Sequence, residues 1–123
     1  MQIREHTTNN SQIAEITSNE IIIQTTEDAL DLLGNVYYQG FNSLILHQKN
    51  ITPNFFELKN KMAGDILQKF STYRVRLAIV GDFSGFTSQS LEDFIFESNK
   101  GRQVNFVSSV GEALNALTTF ITF

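Results

Sequence analysis

Between Arg74 and Gly81 the chain reads Arg-Val-Arg-Leu-Ala-Ile-Val-Gly, a short β-branched apolar run with helical patterns on either side of it. A strand of that kind has no polar face, so both its faces must be covered. Helices before and after it in sequence supply the cover, and they also carry the chain back to start each parallel neighbour. Ser43-Leu44-Ile45-Leu46-His47 is a second such run, and Val104, Phe106 and Val107 mark a last strand. These three segments exclude an all-helical or all-antiparallel design and predict an α/β fold, with Arg74 to Gly81 as the best candidate for the central strand.

The connecting segments agree. Ile3, Ile13 and Ile16 lie in two polar-rich segments, 2–7 and 11–17, on either side of Asn9-Asn10, which reads as a hairpin at a sheet edge. Ile21-Ile22-Ile23 extends the second strand or forms a separate turn. Thr25 or Thr26 caps a helix with Glu27 and Asp28 in its first turn, Ala29, Leu30, Leu32, Leu33 and Val36 on its apolar face, and Gly40 at its end. The longest helix is expected to start at Pro53 behind Thr52 as cap and to run through Phe70. Phe55, Phe56, Leu58, Met62, Ala63, Ile66, Leu67 and Phe70 recur along it at helical spacing, with Glu57/Lys61 and Asp65/Lys69 as i,i+4 pairs on the wet side. Gly64 costs about 1 kcal/mol against alanine in such a helix, which predicts close backbone packing there. A third helix runs from about Ser88 to Gly101, with Leu91, Phe94 and Ile95 inward. Ser109-Val110-Gly111-Glu112 is a capping box for a terminal helix carrying Ala113, Leu114 and Leu117. The uncharged end, Thr118 to Phe123, is expected to dock on the domain or on a second subunit.

With 123 residues the chain is sized for one domain, 1–123, and for burying about two-thirds of its unfolded surface without staples. It has no cysteine, so disulfides, thiolate chemistry and zinc fingers are excluded, and two histidines do not make a three-histidine metal site. No metal and no cofactor are expected. A net charge of −4 argues against a nucleic-acid partner. No apolar run approaches the roughly 20 residues of a membrane span, and the start at Met1 lacks the pattern of a signal peptide, so the expected location is cytoplasmic.

Several stretches carry a family resemblance. Phe55-Phe56-Glu57-Leu58, Gly64-Asp65-Ile66-Leu67-Gln68-Lys69-Phe70, Tyr73 through Phe83, Phe94 through Gly101 and Glu112-Ala113-Leu114 resemble the uncharacterised bacterial domain-of-unknown-function family numbered 4180, from about Ile21 onward. That resemblance implies no activity. The element order is also similar to that of STAS domains, the anti-sigma-factor-antagonist fold, and of their SpoIIAA-like lipid-binding relatives. Arg76 to Asp82 resembles their Arg-x-Ala-Val-Val-Gly-Asp type of strand. STAS switch proteins set a phosphorylatable Ser in an Asp-Ser-x-Gly motif at the start of the helix after the third strand. Here that place reads His47-Gln48-Lys49-Asn50-Ile51-Thr52-Pro53, and the phospho-switch does not carry over.

In open α/β sheets, ligands bind beyond the carboxyl ends of the strands. Three loops qualify: His47 to Thr52, Asp82 to Thr87, and Ser108-Ser109. Asp82, Phe83, Ser84 and Phe86, with Thr52 and Phe55 at the next helix start, are the candidate ligand- or partner-binding residues. The bland alternatives are specific. Asp82 ties down its own loop, Thr52 is only a cap, and the phenylalanines are core. His47, Asp82 and Ser84 invite a triad, yet Gly81-Asp82-Phe83-Ser84-Gly85 is not a Gly-x-Ser-x-Gly elbow, and two triad members in one short loop make the geometry awkward. Asn99, Lys100 and Arg102 are candidate anion contacts at the far end of the sheet, where Lys100 and Gly101 already suit a helix terminus. Between Lys49 and Arg76 there are six basic residues and two acids, a face for an acidic partner or simply a solvated one.

The leading expectation is a STAS-like, non-enzymatic binding or regulatory domain, a homodimer, for a protein partner or a small apolar or anionic ligand. The alternative is a small hydrolase or acid–base enzyme using Asp82, Ser84 and His47. A third reading is a purely structural dimer.

Overall fold

The structure is a computed structural model that describes residues 1–8 and 11–118. Strands β1 (Gln2–Thr8) and β2 (Ser11–Thr17) pair antiparallel from Gln2↔Thr17 to Thr8↔Ser11. Their turn, Asn9-Asn10, and the expected docking of the tail at 119–123 lie outside the described residues. Helix α1 (Thr26–Tyr38) leads to β3 (Ser43–His47), α2 (Met62–Thr72) to β4 (Arg76–Val80), and α3 (Gln89–Lys100) to β5 (Val104–Val107). Helix α4 (Val110–Thr118) follows the last strand. The chain therefore folds as a mixed α/β sheet opened by an antiparallel hairpin and continued in parallel.

The strands lie in the order β1-β2-β3-β4-β5. Only β1 is the hairpin's edge; β2 is internal, and β3 rather than β4 occupies the middle of the sheet. Because the parallel strands advance in one direction, successive right-handed crossovers lay α1, α2 and α3 on one face. The packing shows it. Ala14, Ile16, Leu44, Leu46, Leu77 and Ile79 share a core with Leu33, Val36, Ile66, Phe70 and Leu91 of those helices. Ile13, Ile45 and Ala78, one residue out of phase and so on the other face, pack instead on Ala113 and Leu117 of α4. The strand order never reverses, so the fold lacks the crevice that a doubly wound sheet opens at its switch point.

Local chemistry sets the element ends. Thr25 takes the Asp28 N–H at 3.1 Å while the Asp28 carboxylate takes the Thr25 N–H at 3.2 Å, a complete capping box. Gly40, at φ +90, closes α1 in a conformation open to glycine. Ser109 Oγ accepts the Glu112 N–H at 3.1 Å as the sequence pattern required, but the Glu112 carboxylate takes the hydroxyl of Ser108. Ile21 to Ile23 do not extend β2. Ile22 and Ile23 both donate their N–H groups to the Asn50 carbonyl, and Ile23 forms a bridge with Ile51. The Asn50 side chain is 1% exposed and donates to the carbonyls of Ser18 and Glu20, fixing the turn after β2.

The long helix from Pro53 does not form. Thr52 accepts the Asn54 N–H at 3.4 Å and Pro53 opens a helical turn, but it is 3-10 in type and ends at Phe56. A second such turn spans Leu58–Asn60, and α2 begins only after Lys61, at φ 65. The apolar spacing suits either arrangement; Asn60 decides between them. Its amide donates to the Asn54 carbonyl at 2.8 Å and its Oδ1 accepts the Met62 N–H at 2.9 Å, which are groups a continuous helix would have used internally. Glu57 and Lys61 are consequently no helical pair, and α1, at 13 residues against 11, is the longer helix.

Gly64 is exposed, and a Cβ built there meets nothing within 4 Å, so close packing does not explain it. Gly64→Ala is expected to stabilise the fold by about 0.5–1 kcal/mol, read as a higher urea midpoint at unchanged m-value.

Candidate functional site

The loop after β4 folds on its own hydrogen bonds. Asp82 Oδ1 accepts both the N–H of Ser84, at 3.0 Å, and its hydroxyl, at 2.6 Å. Those bonds, the hydroxyl's first, hold the exposed Asp82 carboxyl below its usual range. The Asp82 N–H donates to Gln48 Oε1 at 3.0 Å, joining this loop to the one after β3. Gly81 is required by that junction, since a Cβ there would come within 2.5 Å of Gln48 Cβ.

Phe83 and Phe86 project from the loop and lie half-buried on the aromatic part of the core. Phe86 stacks on Phe56 at 5.0 Å between ring centroids, Phe83 meets Phe106 edge-on at 5.4 Å, and Phe55 packs edge-on to Phe56 at 5.0 Å. Phe55 and Phe56 are buried, so the phenylalanines divide into two core residues and two on the surface ledge. Phe86 stands between three shallow clefts. One, of about 280 Å³, is lined by Ile21, Ile51, Pro53, Phe56 and Phe86 with Lys49 beside them. The second reaches Leu91 and Ile95, and the third reaches Leu58 and Lys59.

His47 is committed elsewhere. Its Nε2 lies 2.8 Å from Glu15 Oε2, while His6 Nε2 lies 2.8 Å from Glu15 Oε1. The pairing follows from register: Glu15 sits opposite Arg4 on β1 and beside Ile45 on β3, so His6 and His47, two residues further along, project from the same face. Glu15 is 5% exposed. Burial alone would raise its carboxyl pKa; the bonds from His6 and then His47, with their charges, outweigh burial and bring it below the ordinary value. An ionised carboxylate only accepts, so both rings present Nε2–H to it. The two rings straddle the carboxylate, one on each oxygen. Among the described residues no group of three or more such side chains is arranged to hold a metal ion. A cavity of about 460 Å³ opens beside this cluster at the carboxyl ends of β2 and β3, lined by Gln2, Thr17, Ser18, Asn19, His47 and Lys49 with Glu15.

The structure therefore brings Asp82 and Ser84 together and joins His47 to Glu15. Thr52 Oγ1 serves its 3-10 turn, and its N–H donates to the Ile23 carbonyl at 2.8 Å. At the other end of the sheet the Asn99 amide bonds both backbone groups of Phe106, at 2.7 and 3.1 Å, clamping α3 to β5. Lys100 pairs with Glu97 at 3.2 Å and lies over the Phe96 ring, and the Arg102 carbonyl accepts from Arg76. Sequence reasoning missed Glu15 and His6. The available signal was an acid flanked by Ala14 and Ile16 in a strand, which register alone turns inward.

A family model described as Domain of unknown function (DUF4180) matches residues 8–117. No curated protein and no solved structure matches the chain. Among the described residues no helix is long and apolar enough to cross a membrane.

Proposed function

The chain belongs to the DUF4180 family, and we propose that it is a non-enzymatic binding domain whose ligand is a small apolar molecule carrying an acidic group. One observation carries this reading: Phe86, half-buried on Phe56, walls an apolar cleft of about 280 Å³ whose one charged lining residue is Lys49. An apolar body against Ile51, Pro53 and Phe86 removes carbon surface from water, and the lysine at the rim orients the acid. The loop that carries Phe86 is braced by the Asp82–Ser84 bonds and by Gln48, which supports a preformed surface. Engagement of His47 by Glu15, and of Ser84 by Asp82, supports binding over hydrolysis. A homodimer is part of the same proposal, and native mass spectrometry reads it directly.

The probe is 8-anilinonaphthalene-1-sulfonate, an aromatic anion of suitable size. It is expected to bind the folded protein with amide shifts concentrated at Ile51 and Phe86. Phe86→Ala should weaken it about fivefold or more while unfolding stays cooperative. Unchanged affinity in that variant, or shifts confined to other surfaces, would sink the reading.

A further inference from the structure

We propose that the outer edge of β1 is a docking surface for an extended segment of another protein, which adds to the five-stranded sheet as an antiparallel strand and carries a basic and an acidic residue side by side. The hydrogen-bond pattern shows which backbone groups it would use. Asn42 donates its N–H to the Gln12 carbonyl, so the backbone of Gln12, and with it that of Ala14 and Ile16, faces β3. The odd-numbered residues of β2 then face β1, and their partners, the even-numbered residues of β1, face back at them. The N–H and C=O groups of Ile3, Glu5 and Thr7 are left pointing outward, and among the described residues nothing bonds them. The other edge of the sheet is closed. There the Phe106 N–H and C=O point away from β4, and the Asn99 amide takes both. Strand β1 runs for seven residues with no proline and no break in register, so its free edge is a template for another strand.

Side chains decide what that strand can be. Arg4 and Glu5 are both exposed and, being adjacent, project on opposite faces of the sheet. Two copies of β1 pairing antiparallel across a two-fold axis would bond through Ile3, Glu5 and Thr7. Full overlap then sets Glu5 directly against the Glu5 of the second copy. A slip of two residues sets Arg4 against Arg4 or His6 against His6. A slip of one turns the inward-facing backbone groups toward the joint and forms no ladder. Like charges directly opposite destabilise a pair, so the charges on this edge count against self-pairing, and a dimer of this chain has to use another surface. A foreign strand meets no such conflict. A basic residue across from Glu5 and an acidic one across from Arg4 are neighbours in an antiparallel partner, one on each face of the sheet. Residues of high strand propensity suit the positions across from Ile3 and Thr7. The edge is a different surface from the Phe86 ledge, and the proposal does not rest on the ligand assigned there.

The probe is the capped peptide Thr-Thr-Lys-Glu-Val-Thr, which sets its Lys across from Glu5 and its Glu across from Arg4 when it lies antiparallel to β1. The control is Thr-Thr-Glu-Lys-Val-Thr, of the same composition with the charges exchanged. In titrations of the isotope-labelled full chain, amides of Ile3, Glu5 and Thr7 are expected to shift, saturate and exchange more slowly with solvent. The control should bind about tenfold more weakly, since two attractive pairs become repulsive. The double variant Arg4→Glu with Glu5→Lys changes only exposed side chains and should reverse that preference. Equal affinity for the two peptides, or no saturable shift on β1, would overturn the proposal. So would a free protein of doubled mass whose Ile3, Glu5 and Thr7 amides are already protected, which would give the edge to a second copy. Should the double variant not fold, the two wild-type titrations still decide it.

Discussion

Glu15→Ala is expected to cost about 3 kcal/mol, lowering Tm by roughly 10 °C in a domain of this size. The carboxylate receives one hydrogen bond from each of two part-buried imidazoles on the neighbouring strands, so its removal strands two donors at once. It also unties β1, an edge strand whose described sheet partner is β2, from the histidine of β3. Glu15→Gln, which keeps an acceptor and the volume, should cost less. The pH dependence separates charge from packing. The folded pKa of Glu15 lies below its ordinary value, so its charge contributes stability above the unfolded carboxylate pKa and loses that contribution as pH falls through the folded value. Wild type should therefore lose stability on acidification below about pH 4.5 more steeply than Glu15→Gln. Parallel curves for the two proteins in urea unfolding would show that the carboxylate's charge is not what holds the hairpin.

Arg76→Ala has an effect of similar size with a different signature. Its guanidinium caps the end of α4, donating to the carbonyls of Leu117 at 2.9 Å and Ala116 at 2.7 Å, while Nε donates to the Arg102 carbonyl at 2.6 Å. Ser11 adds a bond to the Leu117 carbonyl at 3.4 Å. Burial, and then the nearby Arg102, pull the Arg76 pKa below its usual value, yet an arginine stays charged. A cation on the negative end of a helix dipole, fixed by three bonds, accounts for the docking of α4 against Ile13, Ile45 and Ala78. The expected loss is about 2–4 kcal/mol. Hydrogen exchange should show it first in α4 amides, with α1 and α2 less affected. Arg76→Lys supplies one point charge where a fork is needed and should recover only part of the loss. Uniform acceleration of exchange across all helices would mean that α4 does not open separately.

Much of the fold was legible because it rests on periodicity. The runs at 43–47 and 76–80 have apolar centres on both faces and suit internal strands, and the shorter run at 104–107 is the edge strand beside β4. Thr25 with Asp28, Gly40, and Ser109 with Glu112 mark helix ends through bonds a few residues long. The error at Pro53 also has a local cause, in that Asn60 competes for backbone groups at a position where apolar spacing is silent. The loop of Asp82 and Ser84 was found by its place after an internal strand, and its internal bonding matches the bland reading given to Asp82.

The cluster at Glu15 was not legible. Nothing in the neighbourhood of residue 15 mentions residue 47, and residue types alone offer His47 only the alternative triad with Asp82 and Ser84. The sequence by itself determined which segments are strands and helices, where most of them stop, and that parallel strands joined through helices make the sheet. Those properties depend on side-chain period and on bonds within one turn. Only the tertiary structure decided that β3 is the middle strand, that α1, α2 and α3 share one face with α4 alone on the other, and that Glu15 meets two histidines. These are matters of strand order and register, where a shift of one residue turns every side chain to the opposite face, and that choice is made by the whole sheet at once.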